Sequence, residues 1–354
     1  MKQLVTLISF LLLVACNSEL PDDTFVFSHK DFPKTIKAEV QVLELDSIVN
    51  YDKIYCIGDS LLLANNDDPA QTNKVQLYSL DGKRKEGGFA QLGHSKSELI
   101  SCDIHYCYSG SDIFYVEDVI QNKYWICSAD SLKNNKSCVL NNFNYSKDVI
   151  SLCPLDSTYI GLNFWFLDDI KYNNGIVNPL AIYSCKEQIG KERSKQYDYF
   201  VANVGGGSVF CNPNNNDVWL AYKHDNKICI YDKELHLKKQ LQGPYKTEKK
   251  LLSEEMKGKS SIMFGANSYM ACYYDAAYTK NYVYLIYRNI NNTPFPKVSQ
   301  PVEIFKLTWQ GELVANYQLD RFAYSISVDS SNEYLYATCK DPITFERQFV
   351  RLKL

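Results

Sequence analysis

The chain has 354 residues, 45% of them hydrophobic and 14% aromatic, with 38 Lys and Arg against 41 Asp and Glu for a net charge of −3. That length fits two average domains or one large repeat-built domain, and the hydrophobic content is ample for a core. A pI near 6.0 lacks the basic footprint of a nucleic-acid partner.

The chain opens with a basic start at Lys2 and an unbroken apolar run from Leu7 to Val14. The run is too short to span a bilayer, which takes about 20 apolar residues. Leu13-Val14-Ala15-Cys16 closes it as a lipobox, so residues 1–15 are predicted to be a removable lipoprotein signal peptide. Cys16 is then the lipidation site, because its thiol carries the diacylglycerol. Residues 16–35 read as the lipidated cysteine and a polar tether, with the lipid bilayer as a partner through acylated Cys16. Position 17 is Asn rather than Asp, which does not favour retention in the inner membrane. An outer-membrane lipoprotein of the cell envelope, facing the periplasm or the surface, is expected. Glu19, Asp22 and Asp23 loosely resemble the surface-export tethers of Bacteroidetes lipoproteins.

Residues 36–354 read as one domain. Ala38 to Leu45 alternates strongly, as a strand does. After it one unit recurs: a turn with Asp, Asn or Ser, an apolar strand, a loop and a second strand. The first strands of these pairs are Leu61–Ala64, Ile113–Val116, Tyr159–Leu162, Val218–Ala221, Tyr282–Leu285 and Tyr334–Ala337. Six units roughly 45–65 residues apart match the period of a β-propeller, whose blades are four-stranded sheets packed face to face. The fold class is therefore all-β, a six-bladed propeller. The sixth unit ends with its third strand at Leu354. The 38–45 strand is expected to pair with that C-terminal strand, the N-terminal strand closing the last blade and removing two exposed edges. Lys246 to Lys259, with Leu251, Leu252 and Met256 at helical spacing, reads as a helical insertion between blades.

The twelve cysteines leave an odd eleven after Cys16. Several lie in predicted strands, among them Cys56, Cys127, Cys185, Cys229, Cys272 and Cys339, and read as buried small hydrophobes. One or two disulfides are compatible with an oxidising compartment.

With the lipobox and six units in view, the chain resembles the TolB-like six-bladed propeller lipoproteins of Bacteroidetes. Phe89 to Leu99 looks like a degraded copy of the glycine-rich "G-x-G-x-G-P-x-E" turn found after the first blade there; Gly93 and Glu98 remain. The resemblance implies a propeller fold and a surface or periplasmic location. It brings no established activity and therefore no catalytic residue.

No metalloprotease, P-loop, dinucleotide or nucleophile-elbow motif occurs. Cys102, His105 and Cys107 form the densest metal-like cluster, but 102 and 105 fall on opposite faces of a strand, so no metal site is assigned. No cofactor is expected; Asp67-Asp68 and Asp168-Asp169 are the acidic pairs that could help hold Ca2+, yet neither has the spaced carboxylates of a dedicated loop. Loops that reach one mouth of the ring are aromatic and polar together. Trp165, Asp168, Asp169 and Tyr172, then Arg193 and Tyr197, then Arg288, are the candidate ligand-binding residues. Such a mixture suits a glycan or peptide, whose apolar faces stack while polar groups orient it. The favoured function is a non-enzymatic lipoprotein that binds such a ligand or a protein partner at the channel mouth. A metal-dependent hydrolase, lactonase or lyase on a propeller and a structural subunit of an envelope complex are the alternatives. Cys16→Ser is expected to shift the full chain from the detergent phase to the aqueous phase on Triton X-114 partitioning and to abolish palmitate labelling; a labelled variant would refute the lipobox.

Overall fold

The computed structural model describes residues 24–45, 53–64, 73–91, 98–106, 108–144, 149–163, 180–184, 207–245, 251–264, 270–291 and 301–354, together with Gly93 and without positions 59, 119, 135, 156–157, 224 and 257–258. Cys16 lies outside these residues. Three short strands come first: β1 (Thr24–Val26), β2 (Thr35–Lys37) and β3 (Val40–Val42). A first sheet follows from β4 (Lys53–Ile57), β5 (Ser60–Ala64), β6 (Asn73–Ser79) and β7 (Arg84–Gln91). A second comprises β8 (Asp103–Tyr106), β9 (Ile113–Asp118), β10 (Lys123–Ser128) and β11 (Val139–Asn144), with a short helix α1 (Ala129–Lys133) before β11. The third has β12 (Val149–Leu155), β13 (Thr158–Asn163) and β14 (Leu180–Ser184).

The fourth sheet is built from β15 (Gly207–Cys211), β16 (Val218–Tyr222), β17 (Lys227–Tyr231) and β18 (Leu237–Gln242). A hairpin, β19 (Leu251–Met256) with β20 (Lys259–Phe264), precedes the fifth sheet of β21 (Met270–Tyr278), β22 (Tyr282–Asn291), β23 (Glu303–Thr308) and β24 (Leu313–Gln318). The sixth contains β25 (Ala323–Val328), β26 (Tyr334–Lys340) and β27 (Arg347–Lys353). From the second sheet to the sixth the first strands pack on one another, β25 of the last packs on β4 of the first, and Ile104 N of β8 donates to Tyr55 Oη of β4 at 3.4 Å, so the ring closes. This is an all-β propeller.

Each sequence repeat falls on the second and third strands of a sheet. Second strands such as β5 and β16 are buried throughout between neighbouring sheets, which is why they read as continuous apolar runs. The blade count differs from the expected six. Among the described residues five sheets carry four or five strands, whereas the third carries three, because no described strand hydrogen-bonds to the outer side of β14.

The helix expected over 246–259 is also corrected. Leu251–Met256 is a strand whose register runs from Leu251↔Phe264 to Met256↔Lys259. Pairing with the β-prone Ile262-Met263-Phe264 outweighs the helical spacing of three apolar side chains.

The expected closure is present, over a shorter span. β3 pairs antiparallel with β27 through Val42↔Val350, Gln41↔Arg351 and Val40↔Leu352. The same N-terminal stretch goes further than the sequence indicates. β1 adds as a parallel fifth strand beside β18, and β2 adds likewise beside β24. Residues 24–35, assigned to the tether from sequence, are thus part of the ring. They form a strap over the outer edges of the fourth and fifth sheets before β3 completes the sixth.

The turn between β8 and β9 fastens the other end of the ring. Ser109 N donates to Tyr278 O of the fifth sheet at 2.9 Å, while its hydroxyl donates to Val328 O of the sixth and lies 3.3 Å from Cys56 O of the first. Gly110 has φ +99°, and a Cβ there would come within 2.9 Å of Ser330 Cβ, so the approach needs glycine. Leu352, on β27 opposite Val40 of the closing strand, is 2% exposed. Leu352→Ala should cost about 2–5 kcal/mol, whereas Ile343→Ala, at a residue 83% exposed, should change stability by less than about 0.5 kcal/mol. Urea midpoints of the two variants check this; equal midpoints would refute the closing role.

Candidate functional site

The strap enters the seam between the fourth and fifth sheets on two buried rings, Phe27 and Phe32. Phe32 lies 4.7 Å from Phe305, and Phe305 stacks on Tyr287 at 4.9 Å. Gly243 allows the strap this close, since a Cβ on it would sit 2.3 Å from Phe27 O. Between the two rings the chain makes a single 3-10 turn over His29–Asp31. Ser28 N and its hydroxyl both donate to Asp31 Oδ2, at 2.7 and 2.8 Å. These bonds hold the Asp31 pKa below the usual carboxylate value.

The turn delivers His29 to Glu303 at the start of β23. His29 Nε2 lies 2.7 Å from Glu303 Oε2; a carboxylate only accepts, so Nε2 carries the proton. Asn316 Nδ2 donates to the other carboxylate oxygen at 2.9 Å. Asn316 is fully buried, and its backbone N–H donates to Lys34 O of the strap at 2.8 Å. Asn316, Glu303 and His29 therefore form an oriented polar chain that begins in the core and ends at a half-buried imidazole.

Aromatic groups surround that imidazole. Tyr245 stands 5.1 Å from His29 and Tyr287 stands 6.4 Å from it, edge-on in both cases. Tyr287 is buried, and its hydroxyl donates to Asn226 Oδ1 at 2.9 Å. Burial, then the neighbouring Cys272, Tyr245 and Glu303, push its phenol pKa above the ordinary value, so it remains a donor. Tyr245 is 44% exposed and offers an open face. These residues line a cavity of about 700 Å³, completed by Lys37, Val302, Gln318 and Asp320 among others. Arg321 holds Asp320 at 2.8 Å and lowers its pKa. The volume is within the range of small-ligand pockets, and the lining is mixed, with Tyr245 and Tyr287 beside the polar His29, Lys37, Glu303, Gln318 and Asp320.

Of the residues predicted from sequence, Trp165, Asp168, Asp169, Tyr172, Arg193 and Tyr197 lie outside the described residues. Arg288 is described and is only 4% exposed. Its guanidinium lies 3.5 Å from the Tyr274 ring and 3.9 Å from the Phe322 ring, and donates to Ala323 O. Burial lowers its pKa to about 10. In this position it braces the seam between the fifth and sixth sheets. Near the ring centre, burial opposes the Lys53 charge, but Asp275, Tyr55 and Asp103 outweigh it and raise the pKa above the ordinary lysine value. His105, from the metal-like cluster, is paired with Glu117 at 2.9 Å. Sequence reading missed His29, Tyr245, Glu303 and Asn316, which come from four separated stretches. The available signal was Ser28-x-x-Asp31 flanked by Phe27 and Phe32, a capping pattern inside an apparent tether.

The model of the TolB-like 6-blade propeller-like family matches residues 31–331. Similar solved structures include a member of the DUF4221 family from Bacteroides vulgatus, 11% identical, with a TM-score of 0.58 over 90% of this chain and 96% of that one. Another is an exported protein of Bacteroides fragilis, 11% identical, with a TM-score of 0.52 over 93% of this chain and 98% of that one. At such identities they share the fold. No curated protein matches the chain. Because the family match spans most of the ring built by these strands, the chain belongs to the TolB-like 6-blade propeller-like family.

Proposed function

We propose that the chain is a lipid-anchored propeller of the bacterial cell envelope that binds a glycan or peptide without transforming it, in the cavity between the fourth and fifth sheets. The ring has six blades in this reading, with the three-stranded sheet as the third. Export is supported by the lipobox and by the family resemblance in which it sits.

One observation carries the binding role: the open face of Tyr245 stands beside the Asn316–Glu303–His29 chain at a cavity of about 700 Å³. A sugar or peptide unit can stack on the ring while the imidazole and the rim charges Lys37 and Asp320 orient its polar groups. The two carboxylates are each engaged, Glu303 by His29 and Asn316, Asp320 by Arg321. That arrangement orients a ligand and has no paired acid and base facing each other across a bond to be broken. The cavity opens at the strand ends from which the sheet-to-sheet links leave.

The test is a glycan array and a peptide library screened with the chain, followed by titration of each hit. Tyr245→Ala should weaken binding about tenfold, equivalent to about 1.4 kcal/mol, with unchanged melting because the ring is exposed. Glu303→Gln should weaken it through loss of the oriented His29. Retained affinity in both variants, or no ligand in either screen, would overturn the assignment.

A further inference from the structure

Cys153 and Cys211 lie on β12 and β15, the first strands of the third and fourth sheets. Their sulfurs are 2.8 Å apart, and the residues are 2% and 8% exposed. Ile160, Val209 and Leu220 belong to the same apolar cluster. The separation exceeds a disulfide bond of about 2.0 Å by only about 0.8 Å. Two sulfurs that each keep a proton gain little at such range, because S–H is a weak donor and S a weak acceptor.

We propose that Cys153 and Cys211 form a disulfide bond that ties the third sheet to the fourth. The proposal rests on the export part of the reading above and not on the ligand. Disulfides persist outside the cytoplasm. The reaction needs a partner disulfide, supplied by a thiol–disulfide oxidant. One cysteine thiolate attacks that disulfide and releases one of its sulfurs as a thiol, giving a mixed disulfide. The second thiolate then attacks the cysteine sulfur and releases the other. Two protons and two electrons leave the chain, and the oxidant departs as two thiols. Burial of both sulfurs restricts the exchange to a state in which the seam is open, so the bond forms before the ring closes.

The location gives the bond a purpose. The third sheet has three described strands and no strap, unlike the fourth and fifth. The bond joins positions 58 residues apart, enclosing β13 and β14, and so removes conformations from the unfolded chain. Cys339, fully buried in the sixth sheet, serves as a reference thiol.

The full chain recovered from the envelope fraction of its host is denatured with excess iodoacetamide and no reductant, then mapped by mass spectrometry. A cross-linked peptide pair holding Cys153 and Cys211, with Cys339 alkylated, is expected. Alkylation of both Cys153 and Cys211 in most molecules would overturn the proposal. Separately, the purified chain is melted after equilibration in oxidising and reducing glutathione buffers. Reduction should lower Tm by about 4–10 °C, and the double variant Cys153→Ser, Cys211→Ser should remove that difference. A difference that survives undiminished in the double variant would assign it to other cysteines and refute the pairing. Absence of the chain from the envelope fraction would sink the export reading, while the melting experiment would still decide whether the bond forms.

Discussion

A ring of sheets has no end only if its last sheet is completed, and here the completing strand is three residues long. Val40, Gln41 and Val42 pair with Leu352, Arg351 and Val350. Without them β27 would present a row of open N–H and C=O groups to solvent. The energy of three residue pairs is modest, yet the pairing determines whether the first and sixth sheets are neighbours or two loose ends. Their contact through β4 and β25 then buries apolar surface that a linear array would leave open. Ser109 adds a second fastening at one end of the ring by bridging the first, fifth and sixth sheets.

The closing strand also explains the site. To reach β27, the chain from β1 must pass the fourth and fifth sheets, and it does so by hydrogen-bonding to their outer edges. The path takes Phe27 and Phe32 into a seam already lined by Phe305, Tyr287 and Tyr273. A turn held between two buried rings has little freedom, so His29 is fixed against Glu303. Cavity and closure are products of one segment. A change that loosened the strap would act on both, and no residue of the cavity can be understood from the fifth sheet alone.

Much of this architecture was legible because a strand buried on both faces must be apolar throughout. That constraint made Val218–Ala221 and Tyr334–Ala337 visible, and each lies in a second strand. The alternating stretch 38–45 announced an edge partner, and β3 is that partner. Short parallel edge strands leave no such trace: Thr24–Val26 and Thr35–Lys37 are too brief for a period to show, so the first read as tether and the second was cut by the tether's end at residue 35. Leu251, Leu252 and Met256 failed in the opposite way, because Leu252 and Met256, four apart, share one face of a strand as well as one face of a helix. The one candidate residue among the described ones stands one step of strand alternation from the cavity. Arg288 was chosen and points toward the sixth sheet, where Tyr274 and Phe322 enclose it; Tyr287 beside it faces the fourth sheet and stacks on Phe305. Which face a residue takes is set by pairing register, and sequence alone does not give the register.

The two halves of the ring are held by different means. The fourth and fifth sheets gain a strand each from the strap, and the sixth gains its closing strand. The first three sheets gain none. Stability in a ring of nearest-neighbour contacts is local, because each sheet rests on the two beside it. The strapped arc is therefore the rigid part, and it is also the part joined directly to the segment that follows Cys16. A load applied through the N-terminus would be borne along β1, β2 and β3 by hydrogen bonds to three sheets before it reached any first strand. This arrangement keeps the cavity on the strapped side of the ring, and among the described residues the third sheet is the arc with the fewest backbone fastenings. There a bond between side chains supplies what the strap does not.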